Sequence, residues 1–135
     1  MNNATPLEVV RDFCTNFGPT YDDAVAMFKR LAHPDISWQS VSSINHPVES
    51  LDALLKNLQR GREVMGAERF RVDVHHIEAD TDVVMVHRTD SIMDREGDVL
   101  LSIDMMAMFG IEDGRIRWSR EYFFDSRPFT ASWEG

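Results

Sequence analysis

The sequence is poor in cysteine, in positive charge and in long apolar runs. Cys14 is the only cysteine in 135 residues, which excludes an intramolecular disulfide and leads us to expect a reducing, cytoplasmic setting. Fourteen lysines and arginines against 23 acidic residues give a net charge of −9. This balance argues against nucleic acid and against an anionic membrane surface as partners. No apolar run reaches the about 20 residues of a membrane span, and we expect no signal peptide.

The chain is rich in helix and strand signals, and we expect residues 1–135 to form one domain. Thr5 followed by Pro6 and Glu8 predicts a helix start, and apolar residues then recur at helical spacing as far as Gly18. Thr20 predicts the start of a second helix. A third helix is predicted over residues 51–65, on a leucine-rich face.

The second half alternates between apolar and polar residues, which is typical of strands. A short strand is predicted at 36–39 and four long ones at 70–78, 83–92, 99–109 and 116–124. Hairpin turns are predicted between the long strands. Helices followed by an antiparallel meander indicate an α+β fold, with N-terminal helices on one face of a strongly curved, mostly antiparallel sheet. Such a cone encloses a pocket, the usual setting of a small-molecule site.

Two charges interrupt the most apolar of these strands. Arg88 and Asp90 share a face with Val84, Val86 and Ile92, because alternate side chains of a strand point the same way. Burying an unpaired charge there is costly, so both charges need partners. They form either a structural ion pair or, together with a second carboxylate, a device for proton transfer.

Glu121 is the candidate second carboxylate. It alternates with Ser119 and Phe123 along the last strand, which favours the pocket side, whereas Arg120 points the other way. The other interpretation is a solvated glutamate on the outer face of the sheet.

With the helices, the meander and these charges in place, the chain resembles the cone-shaped nuclear-transport-factor-2-like (SnoaL-like) superfamily. Within it, the chain is most similar to the limonene epoxide hydrolase family. Arg88-Thr89-Asp90 matches the Arg-x-Asp of that family, and the segment Arg120–Asp125 resembles its Arg-Asp-Tyr-Phe-Asp. Glu121 then occupies the position of the family's second catalytic aspartate.

The resemblance implies hydrolysis of a small apolar epoxide to a vicinal diol in one step, without a cofactor. Glu121 would take a proton from water, Asp90 would protonate the epoxide oxygen, and Arg88 would orient both. The family holds the water with tyrosine and asparagine. The matching residues here are Trp38 and Ser40, so we expect the water to be held differently. The other predicted substrate-binding residues are Leu55, Leu58, Ile92, Ile103, Met105, Ser119 and Phe123.

Two alternatives to the hydrolase remain open. One is a SnoaL-like isomerase or cyclase that uses the same pocket, and the other is a non-catalytic module for small-molecule binding or dimerisation. The uncovered face of the meander predicts a homodimer, with Asp104, Met106 and Met108 facing the partner. No metal site is expected, because His75 and His76 are adjacent in a strand and point to opposite faces.

Overall fold

The computed structural model describes residues 4–40 and 47–123. Its elements are helices α1 (Pro6–Asn16), α2 (Tyr21–Leu31) and α3 (Leu51–Met65) and strands β1 (Ala32–Gln39), β2 (Arg69–Asp80), β3 (Val83–Met93), β4 (Val99–Glu112) and β5 (Arg115–Phe123). The predicted α+β fold is confirmed, with the helices before the long strands. No helix in these ranges is both long and apolar enough to cross a membrane.

The helix starts follow from short polar side chains that cap free backbone N–H groups. The Thr5 hydroxyl accepts a hydrogen bond from the Glu8 N–H at the start of α1. Thr20 and Asp23 form a reciprocal capping box at the start of α2. Ser50 caps α3, which ends at Gly66 in the left-handed conformation that glycine adopts without strain. The three predicted helices are therefore confirmed close to their expected ends.

The five strands form one sheet in the order β1-β5-β4-β3-β2. Strands β2 to β5 form an antiparallel meander, and β1 runs parallel to β5 at the edge. The β4–β5 hairpin turns at Asp113 and Gly114, whose φ angles of 52° and 74° suit a two-residue turn between twisted strands. This order places β4 between the strand of Arg88 and the strand of Glu121.

The core lies between the helices and one face of the sheet. Buried side chains of α1 and α2 pack against alternate residues of β3 and β4, among them Val84, Val86, Ala107 and Phe109. On the opposite face, Asp104 is exposed and Met106 and Met108 are half-buried. No helix in the described ranges covers that face, and the homodimer through it stays a prediction.

Two strands differ from their predicted form at register shifts. Strand β1 begins at Ala32, before the predicted start at Ile36, because a shift between Ala32 and Ser37 accommodates Pro34 within the strand. Strand β2 runs from Arg69 to Asp80 with a shift between Val74 and His76. The predicted irregular tail, 126–135, lies outside the described residues.

Candidate active site

Arg88 is the centre of the candidate site. Its side chain projects from β3 into the core and is 1% exposed. Nε donates a hydrogen bond to Asp90 Oδ1 at 2.9 Å, and Nη2 lies 3.3 Å from Asp90 Oδ2. The rings of Phe13 and Phe109 lie 5.4 and 5.7 Å from the guanidinium carbon, within cation–π range. The guanidinium is thus held by one carboxylate and two aromatic faces.

Glu121 reaches the same guanidinium from β5. Its Oε2 accepts a hydrogen bond from Arg88 Nη2, and its Oε1 accepts one from Trp38 Nε1 at 3.3 Å. Two strand spacings, about 9.5 Å, separate β3 from β5. The long side chain of Arg88, whose neighbour on β4 is Met105, reaches across that strand to Glu121. The carboxyls of Asp90 and Glu121 therefore contact one nitrogen from two sides.

Burial and the three charges set the protonation of the site. Burial raises the pKa of the Glu121 carboxyl and Asp90 raises it further, against the lowering influence of Arg88 and Trp38. Burial alone would lower the pKa of Arg88, but the two carboxylates raise it above its ordinary value, so it stays a cation. One cation and two carboxyls are neutral when they share one proton. Because an excess buried charge is costly, we expect the pair to hold that proton.

A cavity of about 150 Å³ opens beside these groups, between α3 and the inner face of the sheet. Arg88, Asp90 and Glu121 contribute to its wall. The rest of the wall is mainly apolar and includes Phe28, Leu54, Phe70 and Val72. A cavity of this size holds a small apolar molecule, comparable to benzene in the documented case. Polar groups at one point of an apolar cavity are the usual design of a small-molecule site.

The cavity takes in most, but not all, of the residues predicted to contact substrate or water. Those on its wall are Trp38, Ser40, Leu58, Ile92, Ile103 and Met105. Leu55 packs against the core beside it, Phe123 packs against the cluster of Leu101, Ile103 and Met105, and Ser119 is fully buried. The residues that do not line the cavity are Leu55, Ser119 and Phe123. The spacing of residues along a helix or strand predicts which face they share, but not which part of that face borders the cavity.

Asn57 is a polar residue of the cavity wall that is not among the site residues predicted from the sequence. It lies on α3 three residues after Leu54 and four before Gly61, which also line the cavity. The helical period could therefore have predicted that Asn57 faces the cavity, because residues at these spacings share a face of a helix. Its amide can both donate and accept hydrogen bonds next to the apolar wall.

Cys14 lies close to the site but has no nucleophilic character. It is buried on α1, and burial raises the pKa of its thiol to about 11. The thiolate is the reactive form, so this side chain acts as a small buried apolar group.

The fold agrees with the family that the chain matches. Residues 10–118 match the SnoaL-like domain family. The chain belongs to this family. No protein among the curated sequences matches it significantly.

This SnoaL-like chain is also similar to solved structures over nearly its whole length. A limonene-epoxide-hydrolase-like epoxide hydrolase of M. tuberculosis shares 21% identity, with a TM-score of 0.69, over 96% of this chain and 90% of that one. TerC, co-crystallised with polyporic acid, shares 17% identity with a TM-score of 0.74 over 98% and 100%. A Xanthomonas campestris protein of unknown function shares 20% identity with a TM-score of 0.75 over 96% and 98%. At these identities the likeness establishes the fold.

Proposed function

We propose that the chain hydrolyses a small apolar epoxide to a vicinal diol by one-step general acid–base catalysis. The observation that carries the proposal is the contact of the Arg88 guanidinium with both Asp90 and Glu121 at the wall of an apolar cavity. The similarity to the M. tuberculosis epoxide hydrolase supports the same reaction class.

In the proposed reaction, Glu121 accepts a proton from a water molecule as the water oxygen attacks an epoxide carbon. The carbon–oxygen bond breaks, and the protonated Asp90 carboxyl donates its proton to the leaving oxygen. The products are the diol, a protonated Glu121 and an ionised Asp90, and transfer of the proton from Glu121 back to Asp90 restores the starting state. The reactive form is the one in which Glu121 is ionised and the shared proton lies on Asp90. In that form the raised pKa makes Glu121 a stronger base than an ordinary glutamate, although the same shift lowers the fraction of the protein that is in this form.

The tyrosine and asparagine that hold the water in the limonene epoxide hydrolase family are replaced here by Trp38 and Ser40, so other groups must orient the attacking water. Trp38 donates its N–H to Glu121, so it positions the base. Ser40 and Asn57 offer the polar oxygen and nitrogen atoms on the cavity wall that can orient a water molecule.

Variants of the two carboxyls test the proposal. Asp90→Asn and Glu121→Gln should each lower diol formation by at least about a hundredfold, because each removes a proton-transfer group worth about 10²–10⁴ in rate. Asp73→Asn and Glu63→Gln make the same chemical changes at exposed positions and should retain the activity. A panel of small epoxides such as cyclohexene oxide, with diol detection by gas chromatography, provides the measurement.

Turnover in heavy-oxygen water with excess enzyme separates one-step attack from a covalent ester. One-step attack places the label in the diol on the first turnover, whereas an ester intermediate delivers an unlabelled carboxyl oxygen first. Wild-type rates in both variants, or an unlabelled first product, would refute the proposed mechanism.

The alternative activity is proton transfer within a bound substrate, as in isomerisation or cyclisation. The hydrogen bond from Trp38 to Glu121 favours it, because that contact stabilises a carboxylate base without requiring a water molecule. Exchange of a carbon-bound substrate proton with deuterated water, lost in Glu121→Gln, would support this reaction over hydrolysis.

A further inference from the structure

Two histidines and an aspartate meet on the face of the sheet opposite to the cavity. They are His75 of β2, His87 of β3 and Asp104 of β4, and one potential ligand atom from each lies within 4.8 Å of the others. His87 Nε2 is 2.9 Å from Asp104 Oδ1, and the rings of His75 and His87 lie 4.8 Å apart. Neither the cavity nor the proposed hydrolysis involves these side chains.

The strand register places His75 next to His87, at a β-bulge in β2. Asp73 pairs with Thr89 and Val74 with Arg88, so alternation continued from these pairs places His75 on the outer face, beside His87. The register of β2 shifts between Val74 and His76, and an extra residue in a strand breaks the alternation of its side chains. Because of the shift, the residue paired with His87 is His76. His75 reaches the Thr89 hydroxyl at 2.6 Å, and His76 contacts Glu78.

The donor set determines which ion would bind. Two imidazole nitrogens and one carboxylate oxygen suit zinc and neighbouring divalent transition metals, and the combination is that of zinc sites that leave a coordination position open to water. Magnesium and calcium prefer sites made of oxygen ligands alone. The three side chains come from three adjacent strands, so the sheet backbone fixes the positions from which they project.

Side-chain rotation alone would bring the ligand atoms of His75, His87 and Asp104 to the separations that a zinc ion requires. Ligand atoms about 2.0–2.2 Å from a tetrahedral zinc ion lie about 3.3–3.6 Å from one another. The 2.9 Å between His87 Nε2 and Asp104 Oδ1 is somewhat shorter than this spacing, so these two side chains must separate slightly. The Thr89 hydroxyl lies 2.6 Å from His75 Nε2 and 3.3 Å from Asp104 Oδ1, in the space between the ligands. Exposed side chains such as His75 and Asp104 can rotate to close the widest gap.

We propose that His75, His87 and Asp104 form a binding site for a divalent transition metal of the zinc class on the open face of the sheet. The site is separate from Arg88, Asp90 and Glu121, and it stands whether or not the chain hydrolyses an epoxide.

Titration of the untagged chain with zinc chloride, followed by calorimetry, tests the site. We expect one zinc ion per chain with a micromolar dissociation constant. His87→Ala and Asp104→Asn should each weaken binding by more than about tenfold, since even residues that only orient a ligand are worth about 10- to 100-fold in affinity. His33→Ala removes a histidine from the distant edge strand β1 and should leave the affinity unchanged.

Cobalt chloride provides a second readout, because bound Co²⁺ absorbs visible light according to its coordination. A spectrum of tetrahedral or five-coordinate cobalt that disappears in His87→Ala supports the site. Absence of saturable binding, as would follow if a second copy covered this face, overturns the proposal. An affinity in both variants equal to that of the wild type also overturns it. Circular dichroism of each variant confirms that the fold is intact.

Discussion

Replacing Glu121 with glutamine tests the electrostatic balance of the candidate site without any substrate. Glutamine keeps the shape of the side chain and can accept the Trp38 hydrogen bond, but it does not ionise. Burial raises the pKa of Glu121 above its ordinary value of 4.5, so the folded chain holds a proton at pH values where the unfolded chain has released it. The contribution of this group to stability is complete below the unfolded pKa and is lost as the pH rises through the folded pKa.

The size of the effect follows from proton linkage. One proton bound in the folded state and not in the unfolded state changes the unfolding free energy by up to about 1.4 kcal/mol per pH unit. Every other titrating group is common to both proteins and largely cancels when the two stability curves are subtracted. The difference, variant minus wild type, should therefore increase with pH from 4.5 until the raised pKa is passed, and then stay level.

Urea unfolding of both proteins between about pH 4 and pH 8, followed by tryptophan fluorescence, measures this difference. Glu63→Gln makes the same substitution on the exposed face of α3 and controls for the substitution itself. A difference curve that decreases with rising pH would refute the reasoning. It would mean that the attraction of Arg88 outweighs the cost of burying Glu121, and that the resting site holds two carboxylates without a proton.

The remaining predictions concern single contacts. Trp38→Phe keeps an aromatic ring but removes a hydrogen bond that lowers the pKa of Glu121, so the acidic limb of the pH–rate profile should move to higher pH. Gly110→Ala should cost about 1–3 kcal/mol of unfolding free energy, because its Cβ would lie 1.9 Å from Trp118 Nε1. Gly61→Ala in α3, where nothing lies within 4 Å, should instead stabilise the chain by up to about 1 kcal/mol. Thermal and urea unfolding measure both glycine variants.

Most of the fold could be predicted because its signals are local. The caps at Thr5 and Thr20 and the apolar periods of the helices depend on neighbouring residues, and the structure reproduces them. The same holds for the inward face of β3, where Val84, Val86 and Arg88 are all buried. Parity also predicts the pocket side for Glu121, and the structure places it there.

Features that depend on register could not be predicted in this way. The shift near Val74 pairs His76 with His87, while His75 also lies next to His87. The shift before Ser37 allows β1 to start four residues early. Nothing in the residues themselves marks these positions, because a bulge depends on how two strands pair across the sheet.

The net charge of Arg88 and its two carboxyls restricts the reactions that this site can catalyse, whichever substrate binds. Arg88 is a fully buried cation in contact with two carboxyls, and the three groups are neutral only with one shared proton. Such a site can take a proton at one carboxyl and donate a proton from the other, beside a guanidinium at the wall of an apolar cavity. Epoxide hydrolysis uses this capacity with water as the attacking group, and isomerisation uses it without water. If the glutamine difference curve increases with pH while no epoxide is opened, the proton-sharing site remains supported and the reaction must be sought among substrate proton transfers.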